Sequence, residues 1–378
     1  MEKNIALLGS TGSIGRQVLE VVRRFPEFKI VSLAAHKNKA LLEKQIEEFD
    51  PQVACLTGGD LLQDFGNTAV FCGRDSLEKA IVDSADIVFV AVTGFSGLAA
   101  VLKAIEKKKT VALANKEALV CGGELVMRKA RENGVEIIPV DSEHSALWQA
   151  LGYRKTGFKR LILTASGGPF RLANLREMRD FSAKDALNHP TWKMGEKISI
   201  DSATMLNKGF EVIEAHHLFS AAIERIDVVV HPQSIIHSMV EFEDNSVLAQ
   251  MSNPDMKLPI QAALTYPQKL ASPLEPLDFT KIGKLEFFPL DREKFPCFDI
   301  AIDSLRRGGN LPCALNAASE EAVRAFLSGR IRFTDIAPII AQTIDRTKRT
   351  EVSYEALFLT DESARATAQR LIENSEKK

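Results

Sequence analysis

The sequence lacks any Cys-x-x-Cys pair, because its five cysteines stand far apart at positions 55, 72, 121, 297 and 313. This spacing argues against a disulfide framework and a thiolate zinc site, and it favours a reducing cytoplasm. Long apolar runs are also missing. The longest, residues 87–102, is interrupted by polar residues and glycines and falls short of the ~20 residues that span a bilayer. The first apolar run, residues 5–8, is too short for a secretory signal, and no transit peptide is expected.

Charge of one sign is not in excess either. The chain has 48 Lys and Arg against 50 Asp and Glu, a net charge of -2. Nucleic-acid binding normally leaves a basic footprint, so this balance gives no support to it. Any anionic ligand must therefore meet positive charge that is local to its site. A length of 378 residues exceeds a single hydrophobic core and predicts two or three domains.

The first third begins with the pattern of a nucleotide-binding turn. An apolar run at 4–8 leads into GSTGSIG at 9–15, and apolar residues then recur with helical spacing. Glycines at 9, 12 and 15 permit a tight turn, close approach of the backbone to a pyrophosphate, and close packing of the helix on the strand. The pattern is GxxGxxG instead of the common GxGxxG, and an ordinary tight turn is the alternative. Its place between strand and helix favours the dinucleotide interpretation.

The end of the second predicted strand, residues 28–35, indicates which dinucleotide binds. An NAD enzyme usually has an acidic residue there to bind the ribose 2′-hydroxyl. Here the residues are His36, Lys37 and Asn38. A lysine suits a 2′-phosphate, so the sequence predicts NADPH over NADH, with a solvated surface lysine as the alternative.

Further strand and helix patterns repeat along the first third. Strands are expected at 87–92, 110–113 and 135–140, each followed by a helix or a polar turn. Alternation of this kind predicts an α/β fold with a Rossmann-like, doubly wound parallel sheet. Ligands bind at the carboxyl ends of such strands, where the segments 115–117 and 141–143 are expected.

Carboxylates in the middle of the chain suggest a metal site. Asp141 and Glu143 are two residues apart after a strand, so their side chains share one face if the segment stays extended. A solvated turn is the usual explanation for such a pair. Hard ions such as Mg²⁺ and Mn²⁺ prefer carboxylate oxygens, and Glu211, in a polar segment that runs into a helix, is the candidate third ligand.

Polar residues cluster between these carboxylates. The segments SGGPF at 166–170 and HPTWKMG at 189–195 supply hydroxyl, imidazole and ammonium donors of the kind a phosphate monoester needs. Helix capping or surface exposure is the better explanation for each residue taken singly, and only the clustering favours a phosphate site. Trp192, with Gly195 nearby, is either part of a closing lid or a buried core residue.

Beyond these segments, the sequence predicts a hairpin and a helical region. Residues 234–242 and 247–251 predict an antiparallel hairpin with a turn at 243–246. From residue 298 the pattern is mostly helical, with a break at 308–312. No metal is assigned to the four histidines of this region, at 216, 217, 231 and 237.

Seven segments, in order, resemble the 1-deoxy-D-xylulose 5-phosphate reductoisomerase family. They are GSTGSIG (9–15), ANKE (114–117), VDSEHSA (140–146), SGGPF (166–170), HPTWKMG (189–195), SATMLNKGFE (202–211) and HPQSIIHSMVEF (231–242). The resemblance covers residues 9–242, and the remaining residues show no comparable signature. It implies an α/β Rossmann-like domain at 1–141, an α+β catalytic and dimerisation domain at 142–275 with a mobile flap at 186–196, a linker at 276–297, and a helical domain at 298–378.

The resemblance also implies site residues. Cofactor binding falls to Gly9, Thr11, Gly12, Ser13, Ile14, Gly15, His36, Lys37, Asn38, Asn115, Glu117, Met194 and Gly195; position 36 is commonly glycine in the family. The metal ligands are Asp141, Glu143 and Glu211, which with Lys116 form the catalytic set. The substrate is bound by Lys116, Ser142 and Glu143 at its sugar end, by Ser166, His189, Ser202, Asn207 and Lys208 at its phosphate end, and by Trp192 and Glu211.

The implied activity is that of an NADP-dependent oxidoreductase. With NADPH and Mg²⁺, Mn²⁺ or Co²⁺, it isomerises and reduces 1-deoxy-D-xylulose 5-phosphate to 2-C-methyl-D-erythritol 4-phosphate in the non-mevalonate isoprenoid pathway. The expected partners are this small phosphorylated sugar and a second copy of the chain, without nucleic acid or membrane. Two alternatives are a semialdehyde dehydrogenase, which needs a nucleophilic cysteine that the site motifs lack, and a non-catalytic NADPH sensor.

Overall fold

The structure is a computed structural model that describes residues 2–59, 63–192 and 194–376. Lys193, within the predicted flap, lies outside the described residues. The chain forms two compact units, and each is described by itself. The first comprises Met1–Ala118, Val126–Ser145 and Asp255–Leu274, and the second comprises Leu119–Leu125, Ala146–Pro254 and Glu275–Lys378. In the part of the chain that is described, no helix has the length and apolar character needed to cross a membrane.

Strands and α-helices occur throughout the part of the chain that the structure describes. The strands are β1 (Lys3–Leu8), β2 (Phe28–Ala35), β3 (Val53–Leu56), β4 (Ala69–Cys72), β5 (Ile87–Val90), β6 (Thr110–Leu113), β7 (Ile137–Pro139), β8 (Arg160–Ala165), β9 (Ile226–Val230), β10 (Ile236–Glu241), β11 (Val247–Met251) and β12 (Phe288–Pro289). The helices are α1 (Ser13–Val22), α2 (Lys39–Phe49), α3 (Ser96–Glu106), α4 (Lys116–Asn133), α5 (Ser142–Ala150), α6 (Ala183–Leu187), α7 (Glu196–Ala203), α8 (Leu206–Phe219), α9 (Lys257–Thr265), α10 (Phe279–Ile282), α11 (Pro296–Arg307), α12 (Leu311–Leu327), α13 (Ile336–Arg346) and α14 (Tyr354–Glu376).

The first unit is built on a parallel sheet of seven strands in the order β4-β3-β2-β1-β5-β6-β7. This confirms the predicted doubly wound sheet. The strands at 28–35 and 110–113 have the predicted bounds, while those expected at 87–92 and 135–140 are shorter, at 87–90 and 137–139. Strands covered on both faces read as continuous apolar runs, and β5 is accordingly buried at every position.

The strand order places a topological switch point between β1 and β5. From β1 the chain runs outward through β2, β3 and β4, and it then returns to the middle of the sheet and runs the other way through β5, β6 and β7. The loops that leave the carboxyl ends of β1 and β5 therefore diverge and open a crevice, which is where nucleotides bind in this class of sheet.

Residues 255–274 return to the first unit from far along the chain. α9 packs against α1, and Lys257 forms an ion pair with Glu20 at 2.9 Å. Lys3 donates a hydrogen bond to the carbonyl oxygen of Leu264 at 3.4 Å. The ion pair is part-exposed and contributes little to stability, so the buried face of α9, which includes Ile260 and Leu264, is what fixes this return.

The second unit contains a five-stranded sheet in the order β11-β10-β8-β9-β12, in which only β8 and β9 are parallel. β10 and β11 form the predicted antiparallel hairpin. The unit also contains α11 to α14, which confirm the predicted helical region and its break between Arg307 and Leu311. α12 is buried along most of its length and packs against α11, α13 and α14.

Gly9 allows the turn after β1 to lie close to the backbone at the end of β5. Its φ is +93°, and a Cβ there would lie 2.4 Å from the carbonyl oxygen of Ala91. We expect Gly9→Ala to lower the free energy of unfolding by about 3 kcal/mol or more, because it adds a clash to an unfavourable φ. Urea denaturation measures this.

Gly134 supplies the matched control for this substitution. It also has a positive φ, +66°, but a Cβ there meets nothing within 4 Å. Gly134→Ala should therefore cost only about 1 kcal/mol. Equal losses for the two variants would show that the contact with Ala91 does not matter.

Candidate active site

The glycine turn after β1 leads directly into the amino end of α1. A Cβ on Gly15 would lie 2.2 Å from the carbonyl oxygen of Gly9, so the turn closes on itself only with glycine at that position. α1 begins at Ser13, and its N-cap residue Gly12 provides no side-chain cap. The first amides of a helix have no intrahelical acceptor, and they point out of the helix end together with the positive end of its dipole. Thr11, Gly12, Ser13 and Ile14 surround this end, which suits a pyrophosphate.

His36, Lys37 and Asn38 are exposed at the carboxyl end of β2. His36 Nδ1 lies 3.0 Å from the hydroxyl of Thr57, and a Cβ on Gly58 would lie 2.2 Å from the imidazole ring. Asn38 caps α2 by accepting a hydrogen bond from the backbone N–H of Leu41. The sequence indicated neither the support of His36 by Thr57 and Gly58 nor the capping role of Asn38.

Asn115 ties together the ends of β5 and β6. Its side-chain nitrogen donates to the carbonyl oxygens of Val92 and Gly94, each at 3.1 Å, and to the carboxylate of Glu117 at 2.7 Å. Its side-chain oxygen accepts from the N–H of Ala118 and so caps α4. A Cβ on Gly97 would lie 2.1 Å from that oxygen. Asn115 and Glu117, two predicted cofactor residues, are therefore in contact with each other and fix the loop that follows β5.

The segment after β7 is helical, which overturns the expectation that Asp141 and Glu143 share one face of an extended segment. α5 begins at Ser142, and the carbonyl oxygen of Asp141 accepts a hydrogen bond from the N–H of Ser145. Aspartate is a preferred residue just before a helix, because its side chain and the helix dipole both favour that place. Glu143 thus lies in the first turn of α5, where its carboxylate accepts a hydrogen bond from Ser142 at 2.5 Å.

Lys116 and Asp141 form an ion pair within the first unit. Burial alone would raise the pKa of the Asp141 carboxyl. The Lys116 ammonium outweighs this, aided by His144, and holds the pKa well below its usual range. Asp141 is therefore an anion, and its charge is neutralised by Lys116, which the family resemblance predicts to bind the substrate.

In the second unit, Ser166 and His189 are in contact, with Ser166 Oγ 2.9 Å from His189 Nε2. His189 Nδ1 accepts hydrogen bonds from the N–H groups of Thr191 and Trp192, so the ring proton is on Nε2 and is donated to Ser166. Burial lowers the pKa of His189, which also favours this neutral form. Ser166 Oγ accepts from Gly168 N–H as well, so its own hydroxyl hydrogen is oriented away from both donors.

α7 and α8 carry the other predicted phosphate-end residues of this unit. A Cβ on Gly168, whose φ is +66°, would lie 2.7 Å from the carbonyl oxygen of Ser202 near the end of α7. On α8, the two carboxylate oxygens of Glu211 accept hydrogen bonds from Asn207, at 2.5 Å, and from the Lys208 ammonium. Lys208 and Glu211 are almost fully buried, at 4% and 1% side-chain exposure. Lys208 thus neutralises Glu211.

The flap residues that are described lie between α6 and α7. Trp192 is half-buried, with its ring centroid 6.1 Å from that of His237. It is not a core tryptophan, in contrast to Trp148, which is fully buried. Met194 is half-buried, and Gly195 is exposed as the N-cap residue of α7.

His231 and His217 lie in surroundings that suit a structural role. His231 Nε2 accepts from the N–H of Ile235, and its Nδ1 lies 2.9 Å from the carbonyl oxygen of Glu286. Burial lowers the pKa of His217 to about 3, with a smaller contribution from His216.

The five cysteines are free thiols, and burial raises the pKa of Cys55 and Cys297 to about 12. Thiols with such pKa values are poor nucleophiles.

Comparison with known proteins gives matches along nearly the whole chain. The sequence model of 1-deoxy-D-xylulose 5-phosphate reductoisomerase matches residues 5–123, and models of C-terminal domains of that enzyme match residues 137–219 and 251–367. The 1-deoxy-D-xylulose 5-phosphate reductoisomerase of Thermodesulfovibrio yellowstonii is 46% identical over 98% of this chain and 99% of its own. The enzyme of Geobacillus kaustophilus is 49% identical over 91% of this chain and 92% of its own.

Solved structures agree with the sequence matches. The 1-deoxy-D-xylulose 5-phosphate reductoisomerase of Zymomonas mobilis in complex with NADPH is 40% identical, with a TM-score of 0.91 over 99% of this chain and 100% of its own. A DOX-P reductoisomerase in complex with NADPH, fosmidomycin and magnesium is 38% identical, with a TM-score of 0.90 over 98% of both chains. Full-length identity at this level, together with the same fold, shows that the chain belongs to the 1-deoxy-D-xylulose 5-phosphate reductoisomerase family.

Proposed function

We propose that this protein is an NADPH- and divalent-metal-dependent enzyme that isomerises and reduces 1-deoxy-D-xylulose 5-phosphate to 2-C-methyl-D-erythritol 4-phosphate, a step of non-mevalonate isoprenoid synthesis. The observation that carries this is the full-length match to reductoisomerases, including 38% identity to the one solved with NADPH, fosmidomycin and magnesium. Because the match covers both units, it includes the nucleotide fold and the polar cluster of the second unit.

NADPH binds at the switch point of the parallel sheet. Its pyrophosphate meets the amino end of α1, which Gly9, Thr11, Gly12, Ser13, Ile14 and Gly15 form. Its 2′-phosphate meets His36, Lys37 and Asn38, where no carboxylate opposes it and Lys37 supplies positive charge. Asn115, Glu117, Met194 and Gly195 complete the cofactor site.

Asp141, Glu143 and Glu211 are the proposed metal ligands. Carboxylate oxygens are the donors that Mg²⁺ and Mn²⁺ prefer, and the chemistry of this set fits such an ion. Asp141 and Glu211 are each paired with a lysine ammonium, so both are already held as anions. When bound, the ion supplies Lewis-acid polarisation of the substrate carbonyl.

The phosphate end of the substrate is bound by Ser166, His189, Ser202, Asn207 and Lys208. The Ser166 hydroxyl accepts from His189 and from Gly168 N–H, so its hydrogen remains to donate to a phosphate oxygen. Lys116, Ser142 and Glu143 bind the sugar end, and Trp192 covers the substrate when the flap closes.

The chain's own residues act by binding, orienting and shielding. Phosphate binding, remote from the reacting carbons, orients the substrate for rearrangement of its skeleton. Lys116 places positive charge beside the developing alkoxide or moves a proton there. Closure of the flap, with Trp192 over the substrate, would keep water from the aldehyde, and NADPH would supply the hydride that reduces it. A retro-aldol/aldol route and a 1,2-shift both fit these residues.

The direct test is the oxidation of NADPH, followed by absorbance, with 1-deoxy-D-xylulose 5-phosphate as substrate. We expect turnover with Mg²⁺ or Mn²⁺, loss of turnover with a chelator, and much slower turnover with NADH. Turnover of a semialdehyde without metal would indicate the dehydrogenase alternative. Binding of NADPH without turnover of any of these compounds would indicate a sensor instead.

Glu211→Gln tests the metal site. The change keeps the shape but removes the charge, and we expect turnover to fall by about 100-fold or more because the ion is held less well. Calorimetry with Mn²⁺ should show a matching loss of affinity while the circular dichroism spectrum stays unchanged.

Glu321→Gln is the matched control, since Glu321 is also buried and paired, with Arg324 at 2.8 Å and Arg365 at 3.2 Å. It should leave turnover and Mn²⁺ affinity within about twofold of the wild type. Near-normal turnover in Glu211→Gln would mean that the metal lies elsewhere.

The proposed organisation is a homodimer of chains with an NADPH domain at 1–141, a catalytic and dimerisation domain at 142–275, a linker at 276–297 and a helical domain at 298–378. Exposed apolar residues on the edge strand β11, Val247 at 47% and Leu248 at 53%, support a partner at this edge. Sedimentation should give twice the 41.7 kDa chain mass, and Leu248→Glu should give the single mass. A wild-type monomer would contradict the dimer.

The five free thiols fit a reducing compartment, so we place the enzyme in the cytoplasm. Fractionation of the source cells tests this location, and recovery of the enzyme outside the cytoplasmic fraction would contradict it.

A further inference from the structure

Lys197 stands at the start of α7, directly after the flap, and its ammonium is held by three groups of the second unit. It forms an ion pair with Asp201, one helical turn further along α7. It donates to the hydroxyl of Ser319 on α12 at 3.2 Å, and it lies 5.4 Å from the ring centroid of Phe210 on α8. One side chain thus connects α7 with two other helices.

In the anchor formed by Lys197, Asp201 and Ser319, the two partners of the half-buried Lys197 are buried and the hydrogen-bond directions are fixed. Asp201 is 6% exposed at its side chain, and Ser319 is fully buried. The Ser319 hydroxyl donates to the carbonyl oxygen of Asn316 at 2.8 Å, so its oxygen is oriented to accept from Lys197. A buried carboxylate with a charged partner is costly to separate from it, so Asp201 fixes the Lys197 ammonium on α7. The hydrogen bond from that ammonium to Ser319 then joins α7 to α12.

The two ends of α7 carry proposed site residues. Gly195, a proposed cofactor residue, is the N-cap of α7, and Ser202, a proposed phosphate residue, is the next residue after Asp201. α7 has eight residues, so a shift of the helix on α12 moves both ends together. The anchor therefore sets where Ser202 lies and where the moving part of the flap ends.

We propose that Lys197, Asp201 and Ser319 are positioning residues that fix α7 on α12, a helix of the C-terminal region. The flap then closes on a rigid base, and Ser202 meets the substrate phosphate. This rests on the proposed function. It gives the C-terminal helices a part in catalysis without a contact to the substrate.

Ser319→Ala and Lys197→Met test the anchor. For each we expect KM for 1-deoxy-D-xylulose 5-phosphate to rise about threefold to tenfold, the effect of one misplaced hydrogen bond to a charged group, with kcat within about twofold. The double variant should be no worse than Lys197→Met alone, because that change already removes the hydrogen bond to Ser319. Lys197→Arg, which keeps the charge, should restore most of the affinity.

Ser304→Ala is the matched control for Ser319→Ala. Ser304 on α11 is also fully buried, and it donates to the carbonyl oxygen of Ala301 at 2.7 Å. Hydrogen exchange of the α7 amides should be about tenfold faster in Ser319→Ala than in Ser304→Ala, with other helices unchanged. If Ser319→Ala does not fold, Lys197→Met is compared with Ser304→Ala in the same way.

The affinity for inorganic phosphate, followed by tryptophan fluorescence, reports on Ser202 without turnover. It should weaken about threefold to tenfold in the anchor variants. Absence of turnover in the wild type would overturn the proposed function alone, and exchange and phosphate affinity would then decide on the anchor. If the anchor variants match Ser304→Ala in α7 exchange or in phosphate affinity, the proposal is wrong.

Discussion

Compensation of buried negative charge is the constraint on which the site of each unit depends. A carboxylate that leaves water is stable as an anion only if positive charge and hydrogen bonds replace its hydration. In the first unit Lys116 provides this for Asp141, and in the second unit Lys208 and Asn207 provide it for Glu211. Each unit therefore folds with a preformed anion and a cation beside it. Both members of each pair are residues with proposed roles in the reaction.

The loops at the switch point of the parallel sheet depend instead on glycines, where any side chain would clash with a neighbour. Gly9, Gly15 and Gly97 each have a neighbour closer than 2.5 Å to the place where a Cβ would be. Gly9 lets the turn approach the end of β5, Gly15 lets α1 approach the turn, and Gly97 makes room for the Asn115 amide. Since Asn115 in turn binds the carbonyl oxygens of Val92 and Gly94, the loops at the switch point are fixed before any cofactor arrives.

Sequence reasoning succeeded where one periodicity dominates. The strands at 28–35 and 110–113 are mostly apolar and mostly buried, because the sheet is covered on both faces, so their bounds could be read directly. The hairpin of β10 and β11 and the helices after residue 298 were likewise predictable. The segment at 141–143 was misjudged, because two acidic residues at this spacing fit both an extended strand and the start of a helix.

Individual hydrogen bonds, whether between near or distant residues, could not be predicted from the sequence. The proton position on His189 depends on the backbone N–H groups of Thr191 and Trp192, which composition does not reveal. Lys197 lies outside the sequence motifs, and its partner Ser319 is 122 residues away. The site motifs could be identified by family resemblance, but the groups that orient them could be found only in three dimensions.

The lysine pairs bear on how the proposed ligands bind. Glu211 accepts from Lys208 and Asn207 on its two oxygens, so a metal ion at Glu211 must share or displace these donors. The Lys208 ammonium is almost fully buried, so its charge must stay compensated when a metal ion binds Glu211. A substrate phosphate meets that need, and the metal in turn replaces the charge that Glu211 loses. If Glu211 holds the metal and Lys208 the substrate phosphate as proposed, each ligand compensates charge at this pair when the other binds, and the two binding steps would favour one another.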